Sequence, residues 1–201
     1  MAPARFTGHS NVAAPTPGGK QTAANKNSSA AALLEPRIFK DARGAFWETY
    51  NERLVAEAGL PTRFVQDNFS LSKKNVVRGI HYQIRNTQGK LVRVTHGSVW
   101  DVAVDLRRSS PTFGKHVGVE LSGENGRMFW IPEGFGHGFV ALSDVAGFAY
   151  KVTEYYSPAD ERTLVWNDPA LAISWPVSAE EAVVSDKDQK GSVLEHAEVF
   201  A

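Results

Sequence analysis

His96-Gly97-Ser98-Val99-Trp100-Asp101-Val102-Ala103-Val104-Asp105-Leu106 is the stretch whose reading decides the fold. Its period is two. Trp100, Val102, Val104 and Leu106 alternate with Val99, Asp101, Ala103 and Asp105, as side chains on opposite faces of a strand must. Outward from it the same period returns in Val117, Val119 and Leu121, and again in Phe148, Tyr150, Val152 and Tyr156, so that one strand would point Tyr150 and Tyr156 to a common face. Turn formers separate the runs: His96-Gly97-Ser98, Ser109-Ser110-Pro111, Ser122-Gly123-Glu124-Asn125-Gly126 and Pro132-Glu133-Gly134. Short strands at this spacing indicate an antiparallel sandwich or barrel.

Helical signals are few. Asn51 to Ala58 is the best helix, with Asn51 able to cap it, Gly59 suited to the residue beyond its end and Pro61 blocking continuation. Ser178 to Glu181 has capping-box spacing and predicts a second short helix near the C-terminus. Asp41-Ala42-Arg43-Gly44 reads as a turn into Ala45-Phe46-Trp47-Glu48. Residues 1–32 are poor in acids and rich in Ala, Asn, Ser, Thr, Gly and Pro. They lack the unbroken apolar core of a signal peptide and the amphipathic pattern of a transit peptide, and read as a disordered tail. The domain is expected over 33–190, with 191–201 as a C-terminal tail.

Lys plus Arg and Asp plus Glu are both 22, so the formal charge is zero, and neither nucleic acid nor an anionic membrane is the expected partner. There is no cysteine, which removes disulfides, thiolate metal sites and Cys nucleophiles together. It fits a reducing compartment, and the cytoplasm is the expected location. No apolar run approaches the ~20 residues that span a bilayer. Phosphate-loop, H-E-x-x-H and G-x-S-x-G patterns are absent.

Two stretches each set one histidine beside glycines in an apolar run: Val76-Val77-Arg78-Gly79-Ile80-His81-Tyr82-Gln83 and Ile131-Pro132-Glu133-Gly134-Phe135-Gly136-His137-Gly138-Phe139. Either histidine alone reads as a hydrogen-bonded core residue. Two in matching settings point to a site, because imidazole holds or releases a proton near neutral pH.

Gly126, five residues, Pro132-Glu133-Gly134, two residues and His137 fit the second motif of the cupin family. Cupins supply an H-x-H pair and a Glu to a metal from their first motif. Here that place holds His81-Tyr82-Gln83, so a metal-free cupin-like barrel is the expectation. The chain then resembles, from about Leu34 to Lys190, the dTDP-4-dehydrorhamnose 3,5-epimerase family. The resemblance rests on Arg43-Gly44 with Glu48, Phe64-Val65-Gln66-Asp67-Asn68, Arg78 to Gln83, Gln88-Gly89-Lys90-Leu91-Val92, Asp101 to Arg107, Ser110-Pro111-Thr112-Phe113-Gly114 and Ile131 to Phe139. Phe69 departs from it, since members commonly carry histidine there.

That resemblance implies an all-β fold, a cupin-like jelly-roll (double-stranded β-helix) barrel with short peripheral helices. It implies an isomerase that abstracts protons from C3 and C5 of a dTDP-4-keto-6-deoxy sugar and returns them on the opposite face. Each deprotonation leaves an enolate, which needs a base, an acid on the other face and a cation or donor at the C4 oxygen. By resemblance His81 is the base, Asp188 its orienting carboxylate, Lys90 the residue beside the enolate oxygen and Tyr150 the proton donor. Arg43, Arg78 and Lys187 suit the diphosphate or sugar. Glu48, Gln66, Asp67, Asn68, His137 and Glu161 match positions that contact the nucleotide sugar, and Tyr156 matches an aromatic that stacks on thymine. Members need no metal, nicotinamide or flavin, and are usually dimers that exchange strands. On the residues alone, Tyr150 reads as a cross-strand aromatic, Lys90 as a solvated lysine and Asp188 as a charge in an exposed segment.

Three rivals stand beside this reading: an epimerase acting at C3 or C5 only, a metal-dependent cupin oxygenase, and a non-catalytic sugar-nucleotide-binding cupin. One structural demand follows. Arg78 and His81 are three apart, so a regular strand would point them to opposite faces, yet the resemblance wants both at one pocket. Either a bulge at Gly79 reconciles the two, or Arg78 sits at the strand's end and reaches round by its long, flexible side chain.

Overall fold

The computed structural model describes residues 29–201. The expected N-terminal tail falls, for residues 1–28, outside the described residues, and the described chain is already in strand at Ala32. Strand β1 (Ala32–Leu34) is followed by a hairpin of β2 (Phe39–Asp41) and β3 (Gly44–Phe46), closed at the expected Asp41–Gly44 turn. Helix α1 (Glu52–Glu57) begins where Asn51 Oδ1 accepts the Leu54 N–H, and ends before Gly59, whose φ of 75° suits a residue without Cβ.

The strands that follow are β4 (Gln66–Lys73), β5 (Val76–Gln83), β6 (Lys90–His96), β7 (Ser98–Asp105), β8 (His116–Ser122), β9 (Met128–Ile131), β10 (Phe135–Ala141), β11 (Val145–Val152) and β12 (Glu161–Thr163). They form two antiparallel sheets, ordered β1-β9-β6-β11-β4 and β12-β5-β10-β7-β8. Short β13 (Val183–Val184) adds in parallel to the first residues of β5. The sheets face each other over a shared core of Val92, Phe129 and Phe148 from one and Val99, Ala103 and Phe139 from the other. This is the expected jelly-roll. Phe139 and Phe148 stack across the core at 4.3 Å between ring centres, and His137 continues the row 5.8 Å from Phe148.

Strand β7 is buried on both faces. Val99 and Ala103 enter the core between the sheets, whereas Val102, Val104 and Leu106 pack outward against Leu164, Leu171 and the C-terminal segment. That segment corrects one expectation. Residues 191–201 are not a free tail: Tyr82 Oη donates to the Glu198 carbonyl at 2.6 Å, Phe200 exchanges backbone bonds with Leu106 and Arg108, and Ala197 is buried. The apolar outer face of β5 and β7 needs that cover.

The second helix is also misplaced by the sequence. Ser178 Oγ does accept the Glu181 N–H, but a single turn follows, not a helix. The helix is α2 (Asp186–Gln189), capped by Ser185 Oγ on the Asp188 N–H. No helix among the described residues is long and apolar enough to cross a membrane.

Candidate active site

The site is built where β5 breaks its ladder. His137 of β10 pairs with His81 and Phe139 with Arg78, so two steps on β10 oppose three on β5. The extra residue is Gly79, at φ 111°. A methyl group there would stand 2.6 Å from both the Gly138 Cα and the His137 carbonyl, so only glycine fits. The bulge puts Arg78 and His81 on the face toward the other sheet: Arg78 Nε donates to Ser72 Oγ of β4 at 3.0 Å. It also turns the Gly79 N–H out of the ladder, where it donates to Asp188 Oδ2 at 3.2 Å.

The other oxygen of that carboxylate, Oδ1, holds His81 Nε2 at 2.6 Å. Asp188 is 3% exposed, so it is not the surface charge that its Lys- and Asp-rich surroundings suggest. Burial pushes its pKa up, but the bond and charge of His81 and the Gly79 N–H outweigh this and leave it lowered. An ionised carboxylate can only accept. The proton therefore sits on Nε2, and Nδ1 of His81 is the nitrogen left to take one from a substrate.

A cavity of about 280 Å³ opens beside His81, lined by Gln66 and Asn68 of β4, Lys90 of β6, Tyr150 of β11, Gln88, Tyr156 and Glu161. Lys90 is 8% exposed, not a solvated lysine. Burial lowers its pKa to about 8, against the opposing pull of Asp101 and Glu161. Burial raises the pKa of Tyr150, with Arg78 working against the rise, so its phenol stays protonated. Tyr156 comes to the cavity from the loop after β11, not from the strand itself. Its N–H donates to Gln66 Oε1 at 3.1 Å and its hydroxyl to Glu161 Oε2 at 2.7 Å. Glu161 Oε1 also binds Lys187 Nζ at 2.6 Å, beside Asp188 on α2. Burial pushes Glu161 up, and its bonds to Lys187 and Tyr156 bring it below the usual range.

Not every expected residue arrives. Asp67 lies on the outer face of β4 and pairs with Lys151 at 2.9 Å. Strand alternation requires this, since its neighbours Gln66 and Asn68 point inward. Arg43 sits at the tip of the β2–β3 hairpin with its side chain 89% exposed, paired with Asp41. Glu48 accepts from Asn51 Nδ2 at the start of α1. Neither Arg43 nor Glu48 lines the cavity. A larger hollow of about 580 Å³ is walled by hairpin residues alone and gathers no site residue but Arg43. Phe69, the departure from the family pattern, faces outward and 59% exposed, so it leaves the cavity untouched.

His137 lies deeper, 8% exposed, with Nε2 on Asp101 Oδ2 at 2.9 Å. Burial lowers its pKa, Asp101 opposes this, and Lys90 and His81 add to the lowering. Asp101 was not expected here. The signal for it was present: a carboxylate between Val99 and Ala103, on the face of a strand that both of them turn to the core. Gln83, at the place of a cupin metal ligand, also lines the cavity, and its amide holds the loop of Tyr156. It accepts the Ser157 N–H and donates to the carbonyls of Asn86 and Tyr155. Among the described residues no group of three or more His, Cys, Asp or Glu is placed to hold a metal ion.

An oriented imidazole, a buried ammonium and a protonated phenol around one cavity suit proton abstraction next to a carbonyl. A family model described as dTDP-4-dehydrorhamnose 3,5-epimerase matches residues 27–196. The chain is 56% identical over 169 residues to the dTDP-4-dehydrorhamnose 3,5-epimerase of Pseudomonas aeruginosa, covering 84% of this chain and 93% of that one. Against the enzyme of that name from Salmonella typhimurium it is 54% identical, over 82% of this chain and 91% of the other. In three dimensions it is similar to a dTDP-6-deoxy-D-glucose-3,5-epimerase from Legionella pneumophila, crystallised in complex with dTDP-4-keto-L-rhamnose. There the TM-score is 0.80 at 52% identity, over 84% of this chain and 89% of that one. The histidine and its distant carboxylate thus sit in a sequence matched along most of its length, and the chain belongs to the dTDP-4-dehydrorhamnose 3,5-epimerase family.

Proposed function

We infer that this protein converts dTDP-4-dehydro-6-deoxy-D-glucose to dTDP-4-dehydro-L-rhamnose by epimerisation at C3 and C5. The observation that carries the reading is the pair His81–Asp188 at a cavity lined also by Tyr150 and Lys90. In this mechanism His81 Nδ1 takes the proton from carbon, and Asp188 stabilises the imidazolium that forms. The electron pair moves into the C4 oxygen, where the Lys90 ammonium meets the developing charge in a site shielded from water. Tyr150 returns a proton from the opposite face and is reprotonated by solvent, to which the His81 imidazolium gives up the proton it took. The two carbons, one on either side of C4, pass through the same groups in turn.

Binding is assigned with the same set. Tyr156 stacks on the base, Gln66, Asn68, His137 and Glu161 contact the sugar nucleotide, and Arg78 with Lys187 takes the diphosphate. For the diphosphate to reach Lys187, the pair with Glu161 must open. Arg43 and Glu48, outside their own chain's cavity, act in a homodimer whose exposed β2–β3 hairpin reaches across to the second copy. Phe46, 68% exposed on that hairpin, supports the exchange. No resident metal or redox cofactor enters any step. A cysteine-free chain acting on a nucleotide sugar fits the cytoplasm.

The test is NMR of the 4-keto sugar nucleotide in deuterated water with the full chain. Deuterium is expected at both C3 and C5, with rhamnose-configured product. Exchange at one carbon alone would make the protein a single-position epimerase, and exchange at neither would overturn the reading.

A further inference from the structure

Asp101 is wholly buried, and the steps above leave it idle. It stands on β7 between Val99 and Ala103, so its carboxylate projects into the space between the sheets, as Lys90 does from β6 beside Val92. One oxygen, Oδ2, holds His137 Nε2 at 2.9 Å. The other, Oδ1, has no hydrogen-bond partner, and among the described residues no other buried side-chain nitrogen or oxygen is left so. A carboxylate orients a histidine with one oxygen. Leaving its second oxygen buried without a protein partner costs stability, so the charge itself needs a use.

The charges facing Lys90 come from every wall of the cavity: Asp101 on β7, His137 on β10, His81 on β5, Tyr150 on β11 and Glu161 on β12. Only Asp101 and Glu161 among these are anionic. Glu161 is already occupied, by Lys187 at 2.6 Å and by the Tyr156 hydroxyl at 2.7 Å. The partner of Asp101 is an imidazole that burial holds toward its neutral form. The negative charge left uncompensated beside Lys90 is therefore that of Asp101.

We propose that Asp101 is a positioning residue for the reaction: its free oxygen supplies the counter-charge that keeps Lys90 protonated, while its bonded oxygen fixes the tautomer of His137. The role rests on the reading of this cavity as the epimerase site. It separates the work of the two oxygens. Without the charge, an ammonium this deeply buried gives up its proton at neutral pH and ceases to stabilise the enolate.

The test uses the full chain labelled with 13C-lysine, in which the Lys90 Cε resonance is assigned by its loss in Lys90→Arg. Its titration midpoint is measured in the parent and in Asp101→Asn, alongside the pH profile of kcat/KM. The midpoint in Asp101→Asn is expected to move to lower pH by about one unit or more, with the alkaline limb of kcat/KM following it. An unmoved midpoint, with activity lowered equally at every pH, would make Asp101 merely structural and overturn the proposal. His137→Gln supplies the second arm, and serves alone if Asp101→Asn does not fold. It leaves Asp101 and Lys90 in place, so the midpoint should stay or rise. A fall there would mean that Asp101 acts only through His137, and the proposal fails. The titration needs no turnover, so an inactive parent protein would sink the epimerase reading without touching this measurement.

Discussion

His81 Nε2 lies 2.6 Å from Asp188 Oδ1, although 107 positions separate the two in the chain. The carboxylate reaches the imidazole from α2, and its other oxygen is anchored on the Gly79 N–H that the bulge releases. The pair fixes which nitrogen is basic. His81→Asn should therefore lower kcat by about 10²–10⁴-fold while the affinity for dTDP changes little. Steady-state kinetics with a direct binding measurement check it, and turnover within a few-fold of the parent would remove His81 as the base.

Tyr150→Phe removes one hydroxyl and keeps a ring that packs 6.0 Å from Phe148. Folding should survive. Proton removal by His81 should continue while proton return fails, so deuterium uptake at the sugar outlasts net epimerisation. Equal loss of both, read in one NMR time course, contradicts the donor role.

Lys90 should give the activity its alkaline limit. In the proposed mechanism the ammonium is the active form, and burial lowers its pKa from 10.5 to about 8. Activity should thus be present below that value and fall as pH rises through it. In Lys90→Arg the guanidinium stays charged, so the activity that remains should be flat across pH 7–9. A parent profile with no decline before pH 10 would disprove the assignment.

Exhaustive chelation should leave turnover unchanged. The residues at the cupin metal positions are committed elsewhere: His81 to Asp188, His137 to Asp101, and Gln83 to the loop of Tyr156. Activity lost to a chelator and restored by a divalent ion would refute this.

Gly79→Ala should lose both stability and activity. At φ 111° an added methyl is strained, and it meets the backbone of β10 at 2.6 Å. About 2–4 kcal/mol of stability is expected to go, read by denaturant unfolding. Near-normal stability would mean that the bulge tolerates a side chain.

Much of this was legible in the chain. Period two and the turn formers located β7, β8 and β11, Asn51 and Gly59 bounded α1, and the three-residue spacing of Arg78 and His81, with a resemblance that wants both at one pocket, pointed to an irregularity at Gly79. Alternation also carried information that a contiguous motif hides, since it sends Asp67 outward from between Gln66 and Asn68. What local pattern could not reach were matters of cover and distance. Nothing near Asp188 announces that it will be buried under a histidine 107 residues away. Nor does the composition of 191–201 show that β5 and β7 need an apolar lid on their outer face. Asp101 lay in plain sight, in a strand apolar on both sides, where an unremarked charge is itself the anomaly.

The aromatic row Phe139, Phe148, His137 has a consequence for heat resistance. Two members are oil, and the third is a base tied to a half-satisfied acid. Replacing the pair together, with Phe at 137 and Leu at 101, would extend the apolar column and remove a buried polar contact that an all-carbon filling matches or betters. The same replacement would take from Lys90 the counter-charge that faces it, so the gain in packing is set against the loss of that ammonium. The middle of the scaffold thus holds polar groups that packing alone would not choose.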